Sequence, residues 1–281
     1  MQKDMKKDFK RYFKFEFILY IFGRFKLIRS ITKYINNKFI NNDLFKISEN
    51  DYVEENFEFD DVVLNIKNNG YYDGLKLNEN TLNKLLNLSK NSKLISTLNN
   101  KFENFADIDE FNKNNDRPSC LLTLVDDDLN NFAKKISHNK KLINLVSNYL
   151  GKVRKIQTKI QWSPVCQTND DWREYNKQTV TFHYDVHDLN FVYIFFYLTD
   201  CDDKSGAHEL IKGSHLKKKF FKHLIGSAKQ SYESLKKDFK QEDFVIIKGK
   251  AGHGFIEDTS CFHRALVPTK EPRLTLQFRY S

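Results

Sequence analysis

The sequence has few cysteines, few prolines and few glycines, and these shortages exclude several classes of protein. Its 281 residues include four cysteines, which are widely separated and form no Cys-x-x-Cys pair. That spacing indicates neither a disulfide framework nor a zinc ribbon, and it fits a reducing cytosol. The four prolines and ten glycines form no linker rich in Pro, Gly or Ser. No internal repeat is present either, so we predict one folded domain.

A long hydrophobic run is also missing. The most apolar segment, FKFEFILYIFGRFKLI, is interrupted by Glu16, Arg24 and Lys26. Its longest uncharged run, Phe17–Gly23, is too short to span a bilayer and carries no signal-peptide cleavage pattern. We therefore expect a cytoplasmic protein.

Residues 1–50 form a predicted helical segment that has two open interpretations. Apolar residues recur there at close to helical spacing: Phe9, Phe13, Phe17, Ile21, Phe25, Ile28 and Ile35. The segment either packs on the core as one or two helices, or rests as a basic amphipathic segment on a membrane or a partner. We favour packing, because so continuous an apolar face is costly to leave exposed. Peripheral contact with the inner membrane is the alternative.

The chain carries a strongly positive net charge, but its basic residues are not clustered. The formal net charge is +9, and the basic residues are scattered rather than gathered in one arginine-rich stripe. We therefore expect no nucleic-acid partner. The positive balance favours an anionic small-molecule substrate, and the sequence predicts no oligomeric state.

The chain changes from a helical first half to a strand-rich second half. A turn is predicted around Gly70 and Gly74, followed by a helix capped by Asn78 and a further helix over 127–150. The second half contains short β-branched and aromatic runs: VRKIQTKIQW, TVTFHYD, FVYIFFYLT, FVIIK, HGFIE and RLTLQFRY. One helical insertion, over 216–239, lies among them. The pattern predicts a mainly β sandwich or barrel that is backed by N-terminal helices.

The stretch TFHYDVHD, residues 181–188, places three metal-capable side chains on one face of an extended chain. Side chains two apart share a face, so His183, Asp185 and His187 project together. Two imidazoles and one carboxylate, with open positions beside them, form the ligand set of non-haem Fe(II) oxygenases. His183 and Asp185 supply two of these ligands. His187 is predicted to lie on the substrate side or the surface, because iron needs open positions for its chemistry.

The third ligand would be a distant histidine, and the candidates are His208, His215, His223, His253 and His263. His263 is distinguished by Arg273, which follows ten positions later at the start of a predicted strand, with Thr275 on the same face. A buried arginine pairs bidentately with a carboxylate, and Thr275 could add a hydroxyl donor. The alternatives are a salt bridge for Arg273 and an ordinary strand position for Thr275.

Longer motifs carry a resemblance to a known family. The segments NYLG, FFYLTDCDDKSGAHELIKGSH and GKAGHGFIEDTSCFHRALVPTKEPR resemble passages of the phytanoyl-CoA dioxygenase family of Fe(II)/2-oxoglutarate-dependent oxygenases. The resemblance covers roughly 60–281 and implies a double-stranded β-helix (jelly roll, cupin-like) over 51–281. It implies that His183, Asp185 and His263 hold iron, and that Arg273 binds the distal carboxylate of 2-oxoglutarate. It does not account for residues 1–50.

The resemblance also implies the reaction class. With 2-oxoglutarate and O2, such enzymes oxidise a small molecule, and an aspartate at 185 favours hydroxylation over halogenation. Gln161, on the strand before the site, either borders the co-substrate or packs. His253 stands where the family has a small or hydroxylated residue.

The identity of the substrate stays open. An anionic glycan or a lipid-linked cell-envelope precursor is our preferred substrate class, and an acyl-CoA or a small carboxylic or amino acid is the alternative. A non-catalytic, cupin-like metal-binding protein with the same barrel fold is the competing interpretation.

Overall fold

The structure is a computed structural model that describes residues 22–23, 25–40, 45–54, 57–185, 187–219 and 229–281. Several predictions fall outside these ranges. They concern the apolar positions Phe9, Phe13, Phe17 and Ile21, the histidine His223, and the central part of the insertion predicted over 216–239.

Two antiparallel sheets form the centre of the protein. In chain order the strands are β1 (Tyr71–Lys76), β2 (Lys93–Ser96), β3 (Lys101–Phe102), β4 (Leu122–Val125), β5 (Ile156–Ser163), β6 (Val192–Tyr197), β7 (His208–Ile211), β8 (Phe244–Ile247), β9 (His253–Glu257), β10 (His263–Ala265) and β11 (Arg273–Tyr280). The large sheet has the order β1-β9-β6-β11-β5-β4-β2-β3, and the small sheet has the order β10-β7-β8. The predicted mainly β, jelly-roll fold with flanking helices is confirmed.

Helices flank the two sheets, and several of them pack against the large sheet. They are α1 (Lys26–Phe39), α2 (Phe59–Asn69), α3 (Glu79–Lys90), α4 (Phe105–Asn114), α5 (Asp127–Ser137), α6 (Lys140–Leu150), α7 (Asp170–Tyr175), α8 (Ser214–Lys217) and α9 (Tyr232–Lys236). Along β11, Leu274, Leu276 and Phe278 alternate into the core that the large sheet shares with helices α2 to α6. The intervening residues, Arg273 and Thr275 among them, therefore face the opposite side of the sheet.

The predicted cap of α3 is present, whereas the helix predicted over 127–150 is corrected. The Asn78 side chain accepts a hydrogen bond from the Thr81 amide, as the sequence predicts for a helix start. The single helix predicted over 127–150 is wrong, because the chain breaks between α5 and α6. The Asn139 side chain accepts from the amides of Lys141 and Leu142 and so starts a new helix there.

One turn prediction and one strand prediction also differ from the structure. Gly70 (φ 86°) ends α2 as a turn residue, but strand β1 begins immediately after it, and Gly74 lies within that strand at a register shift. The segment that carries His183 is not a full strand. It forms only isolated bridges, Phe182 with Gln230 and His183 with His263. The partner residues that complete a strand ladder come from distant parts of the chain, which local patterning does not reveal.

Helix α1 contacts the rest of the protein through polar residues. Thr32 and Asn36 are buried, whereas Leu27 and Tyr34 are 71% and 66% exposed. Among the predicted apolar positions that the structure describes, Ile35 is exposed as well. No helix in the described ranges is long and apolar enough to cross a bilayer.

Candidate metal centre

Backbone pairing brings the three predicted metal ligands together. His183 and His263 form a two-way bridge, with N–O distances of 2.9 and 2.8 Å. The amide of Asp185 donates to the carbonyl of Thr259 at 2.8 Å, which fixes the carboxylate residue against the loop leading to His263. One ligand atom from each of His183, Asp185 and His263 lies within 4.8 Å of the others.

Hydrogen bonds at the far side of each imidazole orient both rings. His183 Nδ1 lies 3.0 Å from the carbonyl oxygen of Thr181, and His263 Nδ1 lies 3.0 Å from that of Cys261. A carbonyl only accepts, so Nδ1 carries the proton and Nε2 keeps its lone pair. Both Nε2 atoms lie 3.8 Å from an Asp185 carboxylate oxygen, so the three lone-pair donors converge on one point.

The protonation states suit metal binding. Burial raises the pKa of Asp185, but the hydrogen bond from His187 and the charges of the neighbouring imidazoles hold the pKa below its usual range. Burial lowers the pKa of His263 to about 4. At neutral pH the carboxylate is therefore ionised and the His263 imidazole is neutral, and these are the forms that bind a divalent cation.

A buried acid behind the triad was not predicted from the sequence. Glu257 is fully buried, and its Oε2 lies 2.6 Å from His208 Nε2 while its Oε1 lies 3.6 Å from His263 Nδ1. The 2.6 Å contact is poorly aligned, so both carboxylate oxygens lack a proper hydrogen-bond donor. Burial raises the pKa of Glu257 to about 7 and lowers the pKa of His208 to about 3. The signal in the sequence was an acid at the end of the apolar run HGFIE.

A second set of contacts, also not predicted, joins helix α1 to the metal-site loop. Arg29 Nη1 donates to Asp258 Oδ1 and to the Ser260 hydroxyl, each at 2.8 Å, and Nη2 donates to the carbonyl of Phe191 at 2.9 Å. The Tyr149 hydroxyl donates to the other oxygen of Asp258 at 2.6 Å. Asp258 precedes Thr259, whose carbonyl holds the Asp185 amide. Arg29 therefore fixes the loop that positions a metal ligand.

Arg273 is buried without a protein anion. It is 8% exposed, it donates to the carbonyl of Gly206, and its Nε has no acceptor. No carboxylate of a described residue pairs with it, so the predicted salt-bridge alternative is not seen within those ranges. A buried guanidinium that lacks an anion is costly unless a ligand supplies one.

Thr275 and Gln161 lie beside each other on the same sheet face. They are paired in register between β11 and β5, and the Thr275 hydroxyl lies 3.5 Å from the Gln161 carbonyl. Gln277 Nε2 donates to Gln161 Oε1 at 2.9 Å. This amide and hydroxyl network follows Arg273 along the strand.

The other histidine candidates have separate surroundings. His187 Nε2 lies 3.4 Å from Asp185 Oδ1, and its side chain is 39% exposed. His253 Nε2 lies 2.5 Å from Asp73 Oδ1, and His215 Nδ1 lies 3.4 Å from the Cys261 sulfur. The ring of His208 stacks on that of His263 at 5.3 Å between centroids. A cleft of about 730 Å³ elsewhere is lined by Trp172 and Tyr175 but by no residue of the triad.

Comparison with known proteins establishes the fold. The sequence matches no protein-family model and no curated protein. Solved structures resemble it at low identity. They include the non-heme alpha ketoglutarate dependent epimerase SnoN from nogalamycin biosynthesis, with 14% identity, a TM-score of 0.51, and coverage of 79% of this chain and 82% of that one.

Two further structures are similar to the same extent. AviO1 from Streptomyces viridochromogenes Tue57 has 12% identity and a TM-score of 0.51, and the match covers 81% of this chain and 96% of that one. EvdO2 from Micromonospora carbonacea var. aurantiaca has 12% identity and a TM-score of 0.50, with coverage of 78% and 89%. At these identities the likeness shows a shared fold and does not assign an activity.

Proposed function

We propose that the protein is an Fe(II)- and 2-oxoglutarate-dependent oxygenase of the phytanoyl-CoA dioxygenase type, with iron held by His183, Asp185 and His263. The observation that carries the proposal is the convergence of one ligand atom from each of two imidazoles and one carboxylate within 4.8 Å. Two imidazoles and one carboxylate leave open positions on the metal and suit non-haem Fe(II). The fold shared with SnoN, which is described as alpha ketoglutarate dependent, supports the same conclusion.

The residues around the triad also fit 2-oxoglutarate. Arg273 offers a buried guanidinium with a free Nε, which suits the distal carboxylate of a dicarboxylic acid. Thr275 and Gln161 lie next along the same face and would add a hydroxyl and an amide contact. When bound, Fe(II) with 2-oxoglutarate and O2 supplies the oxidising chemistry, and the protein supplies binding and orientation.

Residues of the chain would hold the reactants and exclude water. The carbonyls of Thr181 and Cys261 fix the imidazole orientation, so the metal position does not depend on loosely held side chains. Phe195 stacks between Tyr193 and Phe255, with centroid distances of 5.5 and 4.8 Å, and this aromatic floor lines the inner sheet face beside the site. Because Asp185 provides a third protein ligand, we favour hydroxylation of a small molecule.

The preferred substrate is an anionic glycan or a lipid-linked cell-envelope precursor, with an acyl-CoA or small acid as the alternative. A cupin-like binding protein without catalysis would have no need for the unpaired Arg273. Untargeted mass spectrometry of metabolites from cells with and without the protein would find the substrate through a mass change of one oxygen.

The activity itself is tested by oxygen-dependent conversion of 2-oxoglutarate to succinate by the iron-reconstituted protein. We expect the wild type to turn over and Asp185→Ala to lose turnover. Asp188→Ala is the matched control, because it removes the same side chain three residues away, where the carboxylate pairs with Arg154 at 3.0 Å. Absence of turnover in the wild type, or full turnover in Asp185→Ala, would refute the proposal.

A further inference from the structure

The face of the large sheet that carries Arg273 and Thr275 also carries basic side chains. In the register of β11, Arg279 lies opposite Tyr193 of β6 and Gln157 of β5, and Gln277 lies opposite Lys159. Residues two apart share a face, so Arg279 and Lys159 are diagonal neighbours on the face that also carries Thr275. The co-substrate residues and these two cations therefore line the same surface.

A third cation, Lys177, lies within electrostatic reach of Lys159. Partial removal from water lowers the pKa of Lys159, and the positive charges of Lys177 and Arg279 lower it further. Lys177 is held in a left-handed backbone conformation (φ 59°), which is uncommon for a residue other than glycine. We call Lys159, Lys177 and Arg279 the cationic cluster.

Protein carboxylates do not neutralise the cationic cluster. Arg279 Nη2 donates to the neutral side-chain oxygen of Gln157, and no ion pair in the described part of the chain involves any of the three cations. Two acids of adjoining segments are engaged elsewhere. Asp188 pairs with Arg154 at 3.0 Å, and Glu174 pairs with Lys229 at 2.8 Å. Like charges close to one another repel, and a bound anion relieves that repulsion.

Tyr193 connects the cationic cluster to the metal centre. Its ring centroid lies 6.0 Å from that of His187, the neighbour of Asp185. Burial raises the pKa of the Tyr193 hydroxyl, with the charge of Asp185 acting in the same direction and that of Arg279 against it. Tyr193 is therefore close to both charges, and a molecule bound at the cluster would extend over Tyr193 toward the triad.

We propose that Lys159, Lys177 and Arg279 bind a phosphate group of the substrate. A guanidinium fork and two ammonium groups match a dianion with several acceptor oxygens better than they match a carboxylate. The inference rests on the proposed function, because the triad is what makes a neighbouring anion site a substrate site. It narrows the substrate to a phosphorylated small molecule, such as a sugar phosphate, whose oxidised carbon lies beyond Tyr193.

The test uses the metal-free full chain, so that its outcome does not depend on oxygenase chemistry. Phenyl phosphate and benzoate are titrated by isothermal calorimetry at low ionic strength. We expect saturable binding of phenyl phosphate at one site and at least roughly tenfold weaker binding of benzoate. Lys159→Met and Arg279→Met should each weaken phenyl phosphate binding roughly tenfold.

Two controls separate site binding from general attraction. Lys135→Met removes one charge from the exposed side of α5, which packs on the opposite face of β5, and should leave binding within a factor of about two. Lys159→Arg should keep the affinity. If Arg279→Met fails to fold, Lys159→Met carries the test, because Lys159 is exposed.

Three results would overturn the inference: no saturable binding, equal affinity for benzoate, or equal weakening by Lys135→Met. Turnover of 2-oxoglutarate by the wild type is measured separately. An active enzyme without phosphate binding refutes the inference alone. Phosphate binding without turnover refutes the oxygenase proposal and leaves a phosphate site that is no longer assigned to an oxygenase substrate.

Discussion

Replacing Arg29 with methionine should destabilise the protein far more than the loss of an ordinary surface charge. The side chains of Arg29 and Asp258 are 12% and 1% exposed, and their closest atoms lie 2.8 Å apart. Removal of one partner leaves Asp258 as a buried, uncompensated charge, which costs about 3–5 kcal/mol. The carbonyl of Phe191 also loses its donor. We therefore expect the free energy of unfolding to fall by about 3–5 kcal/mol.

Urea denaturation followed by tryptophan fluorescence measures this change. Lys93→Met is the matched control, because it breaks an ion pair of similar length, 3.1 Å to Glu103, whose side chains are 67% and 71% exposed. Such an exposed pair contributes about 0–1 kcal/mol. If Arg29→Met and Lys93→Met lose the same small amount of stability, the coupling of helix α1 to the metal-site loop is not energetically important.

The pH dependence of the same difference gives an independent check. Burial raises the pKa of Asp258, but the charges of Arg29 and His215 and the hydrogen bonds from Arg29 and Ser260 together hold the pKa below the usual range. A group whose pKa is depressed on folding stabilises the folded state at neutral pH, and the contribution disappears as the pH falls through the folded pKa. The stability gap between wild type and Arg29→Met should therefore narrow on acidification. A gap that widens in acid would contradict the assignment.

Three further predictions concern single residues. Arg273→Leu should weaken 2-oxoglutarate binding by roughly one to two decades while iron binding stays unchanged. Unaltered affinity for 2-oxoglutarate would show that Arg273 has a structural role only. Arg273→Lys should lose less of the affinity. His187→Ala should keep most of the iron affinity, measured by equilibrium titration, because the triad is complete without His187. A loss of iron affinity equal to that of Asp185→Ala would show that His187 is a ligand. Asn139→Ala should lower the free energy of unfolding by about 1 kcal/mol, because α6 loses its N-cap. Asn139→Asp is the conservative control. An unchanged free energy of unfolding in Asn139→Ala would show that the cap is dispensable.

The sequence predicts the triad because its members are recognisable locally. His183 and Asp185 are two residues apart, and His263 is distinguished by the arginine that follows it in a strand-like run. The structure brings these three residues together. Their roles as iron ligands, and the role of Arg273 toward 2-oxoglutarate, remain proposals that the experiments above address.

The contacts that support the site could not be predicted in the same way. Arg29 and Asp258 are separated by 229 positions. From the helical pattern alone, Arg29 is indistinguishable from the solvent-exposed cations of the same segment. The register between β5 and β11 that places Lys159 beside Arg279 likewise depends on pairing between distant segments. Local propensity carries no information about such partners. The sequence predicts packing of this segment through apolar residues, whereas the residues buried in α1, Thr32 and Asn36, are polar.

Iron binding by the triad tests the central claim most directly. Metal-free wild type, His263→Ala and His253→Ala are titrated anaerobically with Fe(II) in the presence of 2-oxoglutarate, and bound iron is determined after removal of the free ion. His253→Ala is the control, because His253 contacts Asp73 rather than the triad. We predict about one iron per chain for wild type and for His253→Ala, and little for His263→Ala. Equal iron binding by all three proteins, or none by the wild type, would contradict the account.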